Sequence, residues 1–414
     1  MELNIIEALE KQIRYVLDKS PFYKKHFKIY QSIGETFSLE LFHQLPFTEK
    51  SHIAESNDEF LCVSQNEIAD FVCTSGTTGQ PVSIYLTEKD LNRLAENECA
   101  SFQMTGAVSN DVFQLMTTMD KKFMAGLAYY LGARKLKAGL LRLGPGNPAL
   151  QWDSILRYNP TILIAVPTFI LKCIEYARNN GIDINQSSVK KIICIGEPIR
   201  QENLSWNALG KRIIEQWNVQ LFSTYASTEM GAAFTECEYG LGAHVNEKLL
   251  YLEVLDEDEN PVQNGDSGEI IVSTLGVEGT PLIRFKTGDL AHIYYTPCEC
   301  GRTSPRIGPI VGRKNQMIKF KGTTIFPAAI FEILDNFPEI KLYQIEVKKD
   351  NLEMDQLTIL LEEEMEYHET MFLIYNALND KLRVKPHYQF LPYEDLQKRI
   401  FPKEQRKAQK IMFC

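Results

Sequence analysis

One loop constrains the fold of this chain more than any other segment. It runs from Thr74 to Pro81 with the sequence TSGTTGQP, and it lies between two short apolar runs, Asp70 to Cys73 and Val82 to Leu86. The flanking runs predict short buried strands, because apolar runs of this length next to turn residues are typical of strands. Glycine lets a backbone approach an anion closely. The loop can therefore offer N–H groups and hydroxyls to a polyphosphate.

The loop is not a Walker A motif. It contains no lysine, and its glycines do not have the Gly-x-x-x-x-Gly-Lys-Ser/Thr spacing. A surface turn rich in glycine and threonine is the alternative interpretation of the loop taken alone. The choice depends on the other motifs of the chain.

Size and composition indicate a globular protein of two or three domains. The chain has 414 residues, of which 44% are hydrophobic and 24% are charged. Its net charge of −10 argues against nucleic acid or an anionic membrane as the main partner. No apolar run approaches the ~20 residues that a membrane span needs, and the charged first residues lack a signal-peptide pattern.

Cysteine usage favours a reducing compartment. The chain has nine cysteines, an odd number, and four of them stand singly in apolar surroundings: Cys62, Cys73, Cys173 and Cys194. Reduced, buried thiols of this kind are typical of cytoplasmic proteins. We therefore expect a cytoplasmic protein; its oligomeric state is left open, with a homodimer as one option.

Strand-like and helix-like segments alternate between residues 70 and 240, after a helical N-terminal region with Ile5, Leu9, Ile13 and Val16 at helix spacing. Such alternation predicts a layered α/β domain with a largely parallel sheet. The predicted strands are Asp111 to Met116, Pro160 to Val166 and Lys190 to Ile195, and the predicted helices are Phe169 to Asn179 and Glu202 to Trp217.

Two changes of pattern suggest domain boundaries. Short strands with turn signals such as Asn264-Gly265 predict a β-rich subdomain over about 245–312. Beyond Asn315 we expect a small α+β domain, with strands at 341–348 and 356–361 and a helix at 369–382. The predicted organisation is thus an α/β domain at 1–314 and a C-terminal domain at 315–414.

Three further turns carry polar residues. Gly196, Glu197 and Pro198 follow a predicted strand, and Tyr225, Ala226, Ser227, Thr228 and Glu229 end another. Asp289 closes a Thr-Gly-Asp turn and can project into a cleft. A carboxylate there can accept hydrogen bonds from both hydroxyls of a ribose. Taken alone, such a turn is more often a hairpin.

In this order the motifs resemble those of the adenylate-forming superfamily of acyl- and aryl-CoA synthetases, adenylation domains and luciferases. The chain looks most similar to the phenylacetate-CoA ligase branch. The segments that carry the resemblance to this branch are Ser20 to Lys24, Cys298 to Arg302, Arg306 to Arg313 and Lys321 to Pro327.

The resemblance implies a two-step reaction. A carboxylate attacks the α-phosphate of Mg·ATP to give an acyl-adenylate, and the thiol of CoA then displaces AMP. Carboxylate and phosphate repel each other, so such catalysis depends on positioning and charge neutralisation. Carried over by motif, Thr228 contacts the α-phosphate and Glu229 binds Mg²⁺. By the same resemblance, Ser75, Gly76, Thr77 and Thr78 hold the β- and γ-phosphates, Tyr225 stacks on adenine beside Glu197 and Pro198, and Asp289 holds the ribose with Arg313 nearby. The other implied nucleotide-binding residues are Thr74, Gly79, Gly196, Ala226 and Ser227.

The resemblance also implies a catalytic lysine and a mobile C-terminal domain. The segment Pro402 to Lys410 is similar to the closing Gly-Lys-Ala motif of the branch and assigns this role to Lys407. Its ammonium would stabilise charge that develops in the transition state. A solvated basic tail is the alternative, and Lys403 and Lys410 are the other candidates for the catalytic lysine.

Three positions depart from the family pattern. Gln80 stands where the branch often has a lysine, so the phosphate loop has one positive charge fewer. Asn315 occupies the hinge position, and Arg406 replaces the glycine before the catalytic lysine. The last change leaves the assignment of Lys407 less secure than that of the other motifs.

Four residues suggest a structural metal site. Cys298 and Cys300 lie in one turn, and Cys237 and His244 lie upstream, just after the Tyr225 to Glu229 motif. Three sulfurs and one imidazole match a closed tetrahedral zinc site. Some relatives in the branch carry a similar set. Unrelated polar residues or a redox-active thiol pair are the alternatives.

The sequence constrains the identity of the acid substrate less than it constrains the nucleotide site. Phe123 to Tyr130 occupies the region where the branch supplies an aromatic wall, and Gly126, Ala128 and Ala226 could leave room for a flat ring. Core packing explains each of these side chains equally well. An aryl or hydrophobic carboxylic acid is expected. The alternatives to a CoA ligase are an adenylating enzyme that serves a carrier-protein phosphopantetheine or a hydroxyl acceptor, and a non-catalytic nucleotide-binding protein.

Overall fold

The structure is a computed structural model that describes residues 2–28, 37–74, 82–320, 323–349, 355–366, 369–382, 385–402 and 408–414. The chain divides into two compact units. Unit 1 comprises Met1–Thr287 and Ala291–Pro309, and unit 2 comprises Gly288–Leu290 and Ile310–Cys414. The predicted boundary near Asn315 falls inside unit 2 and stays a prediction.

The first part of the chain alternates helices and strands. The helices are α1 (Glu2–Lys19), α2 (Pro21–His26), α3 (Leu39–His43), α4 (Lys50–Ser56), α5 (Glu88–Met104), α6 (Met124–Leu136), α7 (Pro148–Tyr158), α8 (Pro167–Asn179) and α9 (Ala208–Ile214). The strands are β1 (Ile68–Cys73), β2 (Ser83–Thr87), β3 (Val112–Leu115), β4 (Gly139–Arg142), β5 (Ile162–Ala165), β6 (Lys191–Cys194), β7 (Gln220–Ser227), β8 (Ala232–Glu236), β9 (Ala243–His244), β10 (Leu250–Leu255), β11 (Ser267–Thr274), β12 (Phe285–Tyr294) and β13 (Arg306–Arg313).

Eleven of these strands form one sheet in the order β10-β11-β12-β13-β9-β8-β7-β6-β5-β3-β4. The five strands from β7 to β4 pair in parallel, as the alternation of strands and helices predicts. The β7–β8, β8–β9 and β9–β13 pairs are antiparallel. The predicted β-rich stretch does consist of strands, and β10 to β13 extend the same sheet.

The central parallel strands β3, β5 and β6 are buried on both faces. One apolar cluster includes Trp152, Ile170 and Trp217 and packs α7, α8 and α9 against the sheet. A second includes Phe102, Phe113 and Tyr129. Two buried layers of side chains explain why β5 reads as a continuous apolar run in the sequence.

Two local predictions need correction. The strand β1 is only half buried, and Phe71 on it is 52% exposed. The helix expected from Glu202 to Trp217 is shorter, because α9 begins only at Ala208. The side chain of Asn207 accepts a hydrogen bond from the N–H of Gly210 and so begins the helix there.

The N-terminal helices are fixed to the sheet through Thr48. This residue is fully buried, and its hydroxyl donates to the carbonyl of Ile283 at 2.7 Å. Its backbone N–H donates to the carbonyl of Arg284, and its own carbonyl accepts from the N–H of Lys286. The start of α4 is therefore anchored at the beginning of β12.

Unit 2 is a small α+β fold. Its elements are β14 (Ile318–Phe320), β15 (Thr323–Ile325), α10 (Pro327–Asp335), β16 (Tyr343–Lys349), β17 (Asp355–Glu362), α11 (Thr370–Leu382), β18 (His387–Leu391), α12 (Tyr393–Ile400) and β19 (Ile411–Phe413). Four strands form a sheet in the order β18-β17-β16-β19. An apolar core that includes Ile330, Ile345 and Leu378 packs α10 and α11 against it. The predicted fold class, an α/β domain followed by an α+β region, is confirmed.

All nine cysteines of the chain lie among the described residues, and none of them forms a disulfide. None of the helices in the described ranges combines the length and the apolar character that crossing a bilayer requires.

Candidate active site

Two of the predicted turns, after β6 and after β7, lie at one edge of the parallel sheet. Gly196 and Glu197 follow β6, Thr228 and Glu229 follow β7, and Thr168 follows β5. Because β5, β6 and β7 are parallel, their carboxyl ends lie at the same edge. Ligands of open α/β sheets bind outside this edge.

The carboxylate of Glu197 is held in place by hydrogen bonds from the start of α8. Thr168 donates to its two oxygens, from the backbone N–H and from the hydroxyl, each at 3.0 Å. Thr168 lies in the first turn of α8, where backbone N–H groups have no partner within the helix and favour an anion. Gly196 takes a φ of +77°, which a side chain would disfavour. Glu197 thus fixes the turn that was predicted to line the adenine slot.

The turn from Ser227 to Gly231 presents Thr228 and Glu229. The Ser227 hydroxyl accepts a hydrogen bond from the N–H of Met230 at 3.2 Å. The N–H of Gly231 donates to the carbonyl of Thr228, and Gly231 has a φ of +55°. Of the neighbouring predicted residues, Tyr225 is half-buried on β7 and Ala226 is exposed.

A buried arginine that was not identified from the sequence supports this turn. The Arg93 guanidinium donates to the carbonyls of Gly231 at 2.7 Å, Leu249 at 2.5 Å and Leu275 at 2.9 Å. Burial lowers the pKa of Arg93 to about 10, so the side chain stays charged at neutral pH. Arg93 therefore places a positive charge beside the backbone that carries Thr228 and Glu229.

The Glu229 carboxylate has a lysine partner. Its Oε1 lies 3.0 Å from Nζ of Lys50, the first residue of α4. The Glu229 side chain is 11% exposed and the Lys50 side chain 35% exposed, so the pair lies at the edge of the protein interior. Lys50 was not among the predicted site residues, since 179 positions separate it from Glu229 in the chain and no local motif connects them.

Asp289 and Arg313 form an ion pair within unit 2. The Arg313 guanidinium donates from Nε to Oδ1 of Asp289 at 2.9 Å. The Asp289 side chain is 8% exposed, whereas that of Arg313 is 43% exposed. Gly288, with a φ of +75°, forms the turn before Asp289. The structure thus brings these two predicted residues together.

Only the base of the predicted phosphate loop is described. Thr74 donates from its N–H to the carbonyl of Val82, and its hydroxyl accepts from the N–H of Val82 at 3.2 Å. These bonds extend the β1–β2 hairpin to the first residue of the loop. Ser75, Gly76, Thr77, Thr78 and Gly79 lie outside the described residues.

Two of the three candidate lysines, Lys407 and Lys403, also lie outside the described residues. The third, Lys410, is described: its Nζ donates to the Tyr343 hydroxyl at 2.9 Å and lies 3.3 Å from Oδ1 of Asp335. These contacts hold Lys410 within unit 2.

The helix expected to form the acyl wall is α6, and its small residues are explained by packing. A Cβ on Gly126 would lie 2.0 Å from the carbonyl oxygen of Thr118. Ala128 belongs to the core cluster that includes Val72 and Met124. The packing alternative considered for these two residues therefore accounts for both of them.

A buried carboxyl lies at the contact between α5 and α6. Glu98 on α5 packs against Gly132, and a Cβ on that glycine would lie 2.4 Å from Cβ of Glu98. Burial raises the pKa of Glu98 to about 8, although Asn97 donates a long hydrogen bond of 3.5 Å to it. Glu98 is therefore largely protonated at neutral pH and can lie at the α5–α6 contact without charge.

The four predicted metal ligands lie together in unit 1. The ligand atoms of Cys237, His244, Cys298 and Cys300 all lie within 4.8 Å of one another. The Cys237 and Cys298 sulfurs are 3.7 Å apart, and the Cys300 sulfur is 3.6 Å from Nε2 of His244. The first distance is far beyond the ~2.05 Å of a disulfide.

These distances match the edges of a tetrahedral metal site. Metal–sulfur bonds of about 2.3 Å place two sulfurs about 3.8 Å apart, and a metal–nitrogen bond of about 2.0 Å gives a sulfur–nitrogen edge of about 3.5 Å. Nδ1 of His244 contacts the Ser304 hydroxyl at 3.2 Å, which leaves Nε2 towards the sulfurs. Burial and the nearby Arg302 and Arg306 lower the pKa of His244 to about 4, so its imidazole is neutral.

Two segments of the chain match known family models. Residues 16–279 match the AMP-binding enzyme model, and residues 322–412 match that of the AMP-binding enzyme C-terminal domain. The first match covers more than half of the chain, so the protein belongs to the AMP-binding enzyme family. The resemblance inferred from the motifs is confirmed.

Several curated relatives are phenylacetate-coenzyme A ligases. That of Thermus thermophilus is 28% identical over 351 residues, which cover 83% of this chain and 77% of the relative. That of Escherichia coli is 25% identical over 370 residues, covering 86% and 82%. Among solved structures, 2-hydroxyisobutyryl-CoA ligase with 2-HIB-AMP has a TM-score of 0.85 at 21% identity, covering 99% of this chain and 89% of that one. The last comparison establishes the shared fold.

Proposed function

We propose that the protein is an ATP-dependent acid–thiol ligase. It activates an aryl or other hydrophobic carboxylic acid as its acyl-adenylate and transfers the acyl group to the thiol of CoA. The observation that carries this proposal is the turn from Ser227 to Gly231, which presents Glu229 at the carboxyl edge of the parallel strands. The relatives named phenylacetate-coenzyme A ligase support the same reaction.

In the first step a carboxylate oxygen of the acid attacks the α-phosphorus of ATP. The new O–P bond forms as the bond from the α-phosphorus to the bridging oxygen breaks, and pyrophosphate leaves with the electron pair. Both reactants are anionic, so the site must hold them together and neutralise charge. We assign the α-phosphate to Thr228 and the β- and γ-phosphates to the loop from Thr74 to Gly79. Arg93 adds a fixed positive charge behind the turn.

Glu229 is the proposed holder of Mg²⁺. Magnesium binds through one or two carboxylates together with substrate phosphates, and a single carboxylate at the edge of the interior suits that arrangement. When bound, the ion neutralises phosphate charge. Lys50 holds the Glu229 carboxylate at a defined position in the described structure.

The nucleoside is assigned to the turns after β6 and β7 and to Asp289. Tyr225 would stack on adenine beside the Gly196 to Pro198 turn, which Glu197 fixes through Thr168. Asp289 would accept hydrogen bonds from the ribose hydroxyls. Arg313 orients that carboxylate through one of its oxygens.

In the second step the thiolate of CoA attacks the acyl carbonyl carbon, and the bond from that carbon to the AMP oxygen breaks. AMP leaves and a thioester remains. We assign the catalytic ammonium of the first step to Lys407, and we infer that the C-terminal domain, residues 315–414, acts as the lid that exchanges this lysine for the thiol. Such closures commonly set the turnover rate in enzymes.

We also propose that Cys237, His244, Cys298 and Cys300 hold a structural Zn²⁺. Support comes from their soft donor set, their mutual distances and the neutral imidazole of His244. The ligands come from the end of β8, from β9 and from the β12–β13 turn, so the metal would pin the β-rich segment to the strand next to β7.

The unbridged cysteines support a cytoplasmic location for this enzyme.

The second candidate function is adenylation with a carrier-protein acceptor in place of CoA, and the third is a non-catalytic nucleotide-binding protein. The test is exchange of labelled pyrophosphate into ATP across a panel of phenylacetate, benzoate and medium-chain acids. Acid-dependent exchange followed by CoA-dependent AMP release supports the ligase. Exchange without any effect of CoA favours another acceptor. Absence of exchange with every acid contradicts the proposal that the protein is a ligase.

A further inference from the structure

A cleft of about 480 Å³ opens beside the cysteine–histidine cluster in unit 1. Its walls come from the end of α5, from the first residues of β6 and β7, and from the turn that carries Cys300. The cleft therefore lies at the amino ends of these parallel strands, at the opposite edge of the sheet from the candidate active site. The lining includes Gln103, Lys191, Gln220, Glu238, Cys300 and Arg302. The proposed ligase chemistry uses none of them.

Cys300 is the one member of the cluster that is not buried. The other three ligands are buried, whereas Cys300 is partly exposed where it borders the cleft. The local backbone explains this difference. The N–H of Cys298 donates to the carbonyl of Arg302, and the N–H of Gly301 donates to the carbonyl of Cys298, each at 2.9 Å. These bonds close a turn and leave Cys300 at its tip.

The surroundings of Cys300 in the cleft are electropositive. Arg302 and Lys191 both border the cleft, and Glu238 is the single acidic residue in its lining. The Lys191 ammonium is held in place by two backbone carbonyls just after α5, at 2.7 and 2.8 Å. Reactive cysteines occur in partly exposed, electropositive surroundings, because the thiolate is the nucleophile. A sulfur that coordinates zinc is held as the thiolate.

We propose that Cys300 is a site of oxidation by hydroperoxides, and that it then forms a disulfide with Cys237 and releases the zinc. This inference rests on the proposed metal site and goes beyond the proposed ligase activity. The sulfurs of the cluster lie within 4.8 Å of one another, so a resolving thiol is at hand. Cys298 is separated from Cys300 by one residue of the same turn, so a disulfide between them would close a very small ring. Cys237 comes from the end of β8 and has no such restriction.

The oxidation has two steps. The Cys300 thiolate attacks one oxygen of hydrogen peroxide, the O–O bond breaks, and hydroxide leaves and takes a proton to become water. The Cys237 thiolate then attacks the sulfur of the resulting sulfenic acid, the S–O bond breaks, and a second hydroxide leaves and is protonated. The two thiolates lose two electrons, and the peroxide is reduced to two waters. The Zn²⁺ keeps its oxidation state and leaves because two of its four thiolate and imidazole ligands are gone.

The test treats zinc-loaded, full-length protein with increasing equivalents of hydrogen peroxide per chain. A metal-sensitive dye measures released zinc, dimedone traps sulfenic acids, and peptide mass mapping locates the trapped and the disulfide-linked cysteines. Cys414 is the internal control, since it is exposed and lies outside the cluster. The control variant C414S removes it as a competing target for peroxide.

We expect dimedone to label Cys300 at least about tenfold faster than Cys414. Without dimedone, about one zinc should leave for each disulfide formed, and the peptide map should show Cys237 joined to Cys300. Dithiothreitol with added zinc should reverse both changes. C414S should release zinc as the wild type does.

First oxidation at Cys237 or Cys298, or equal rates at Cys300 and Cys414, would overturn the inference. So would a disulfide between Cys237 and Cys298 that leaves Cys300 as a thiol. Wild-type protein without zinc would remove the metal proposal and this inference, and the exchange assay would still test the ligase. Zinc that stays bound after complete oxidation of Cys414 would leave the metal proposal standing and overturn only the role of Cys300.

Discussion

Arg200 donates from Nε to Oε1 of Glu236 at 2.7 Å and so joins the turn of Gly196 to Pro198 to the strand that precedes Cys237. The second Glu236 oxygen accepts from the N–H of Ser223 on β7. The Arg200 guanidinium also lies over the ring of Trp206 at 3.8 Å. One buried ion pair thus connects the proposed adenine turn, the proposed metal site and the centre of the sheet.

Breaking this pair should destabilise unit 1. R200M leaves the buried Glu236 carboxylate without its partner, and such losses cost about 3–5 kcal/mol. Urea unfolding followed by tryptophan fluorescence measures the change, because all three tryptophans lie in unit 1. The exposed pair of Lys135 and Glu96 provides the control, and K135M should cost less than about 1 kcal/mol. If R200M lowers the free energy of unfolding as little as K135M is expected to, the Arg200 pair contributes little to stability.

Metal content tests the cysteine–histidine cluster. We expect about one zinc per chain in protein purified without chelator, and C298S should lose most of it because a closed tetrahedral site needs all four ligands. The exposed Cys414 provides the control, so C414S should keep its metal. Elemental analysis by mass spectrometry makes the measurement. Wild-type protein without zinc would remove the metal proposal and leave the ligase proposal standing.

Glu98 predicts a dependence of stability on pH. Burial raises its pKa from 4.5 to about 8 in the folded protein, so between these values the folded state holds a proton that the unfolded state has released. The free energy of unfolding therefore falls as pH rises from about 5 to 8, by up to about 1.4 kcal/mol per pH unit. E98Q should remove this fall.

The control for Glu98 lies on the same helix. Glu96 is exposed and pairs with Lys135 on the surface, so E96Q should keep the pH dependence of the wild type. Urea unfolding at pH 5, 6, 7 and 8 compares the three proteins. Parallel profiles of wild type and E98Q would show that Glu98 ionises normally in the folded state.

Much of the fold and of the candidate site could be predicted from local sequence. The runs at 160–166 and 190–195 predict parallel strands because both faces of such strands are buried, and β5 and β6 lie within them. The turns at Gly196 and Gly288 need glycine for their positive φ, which marks them in the sequence. The cysteine–histidine set was found because its donor types are distinctive.

The parts that were missed depend on distant contacts. Arg93 supports the carbonyl of Gly231 across 138 positions of the chain, and Lys50 pairs with Glu229 across still more. A buried arginine in an amphipathic helix and a lysine at a helix start carry no local sign of such partners. The helix expected from Glu202 was too long. The spacing of apolar residues predicts a helix but does not show that its first turn is capped by Asn207.

The most direct test of the central claim is the rate of acid-dependent pyrophosphate–ATP exchange in the wild type and in E229Q. Glutamine keeps the size of Glu229 but removes the charge that would bind Mg²⁺. We expect exchange with at least one aryl or hydrophobic acid in the wild type, a loss of about 100-fold or more in E229Q, and wild-type exchange in E96Q. Absence of exchange with every acid, or an E229Q rate equal to that of the wild type, would contradict the account.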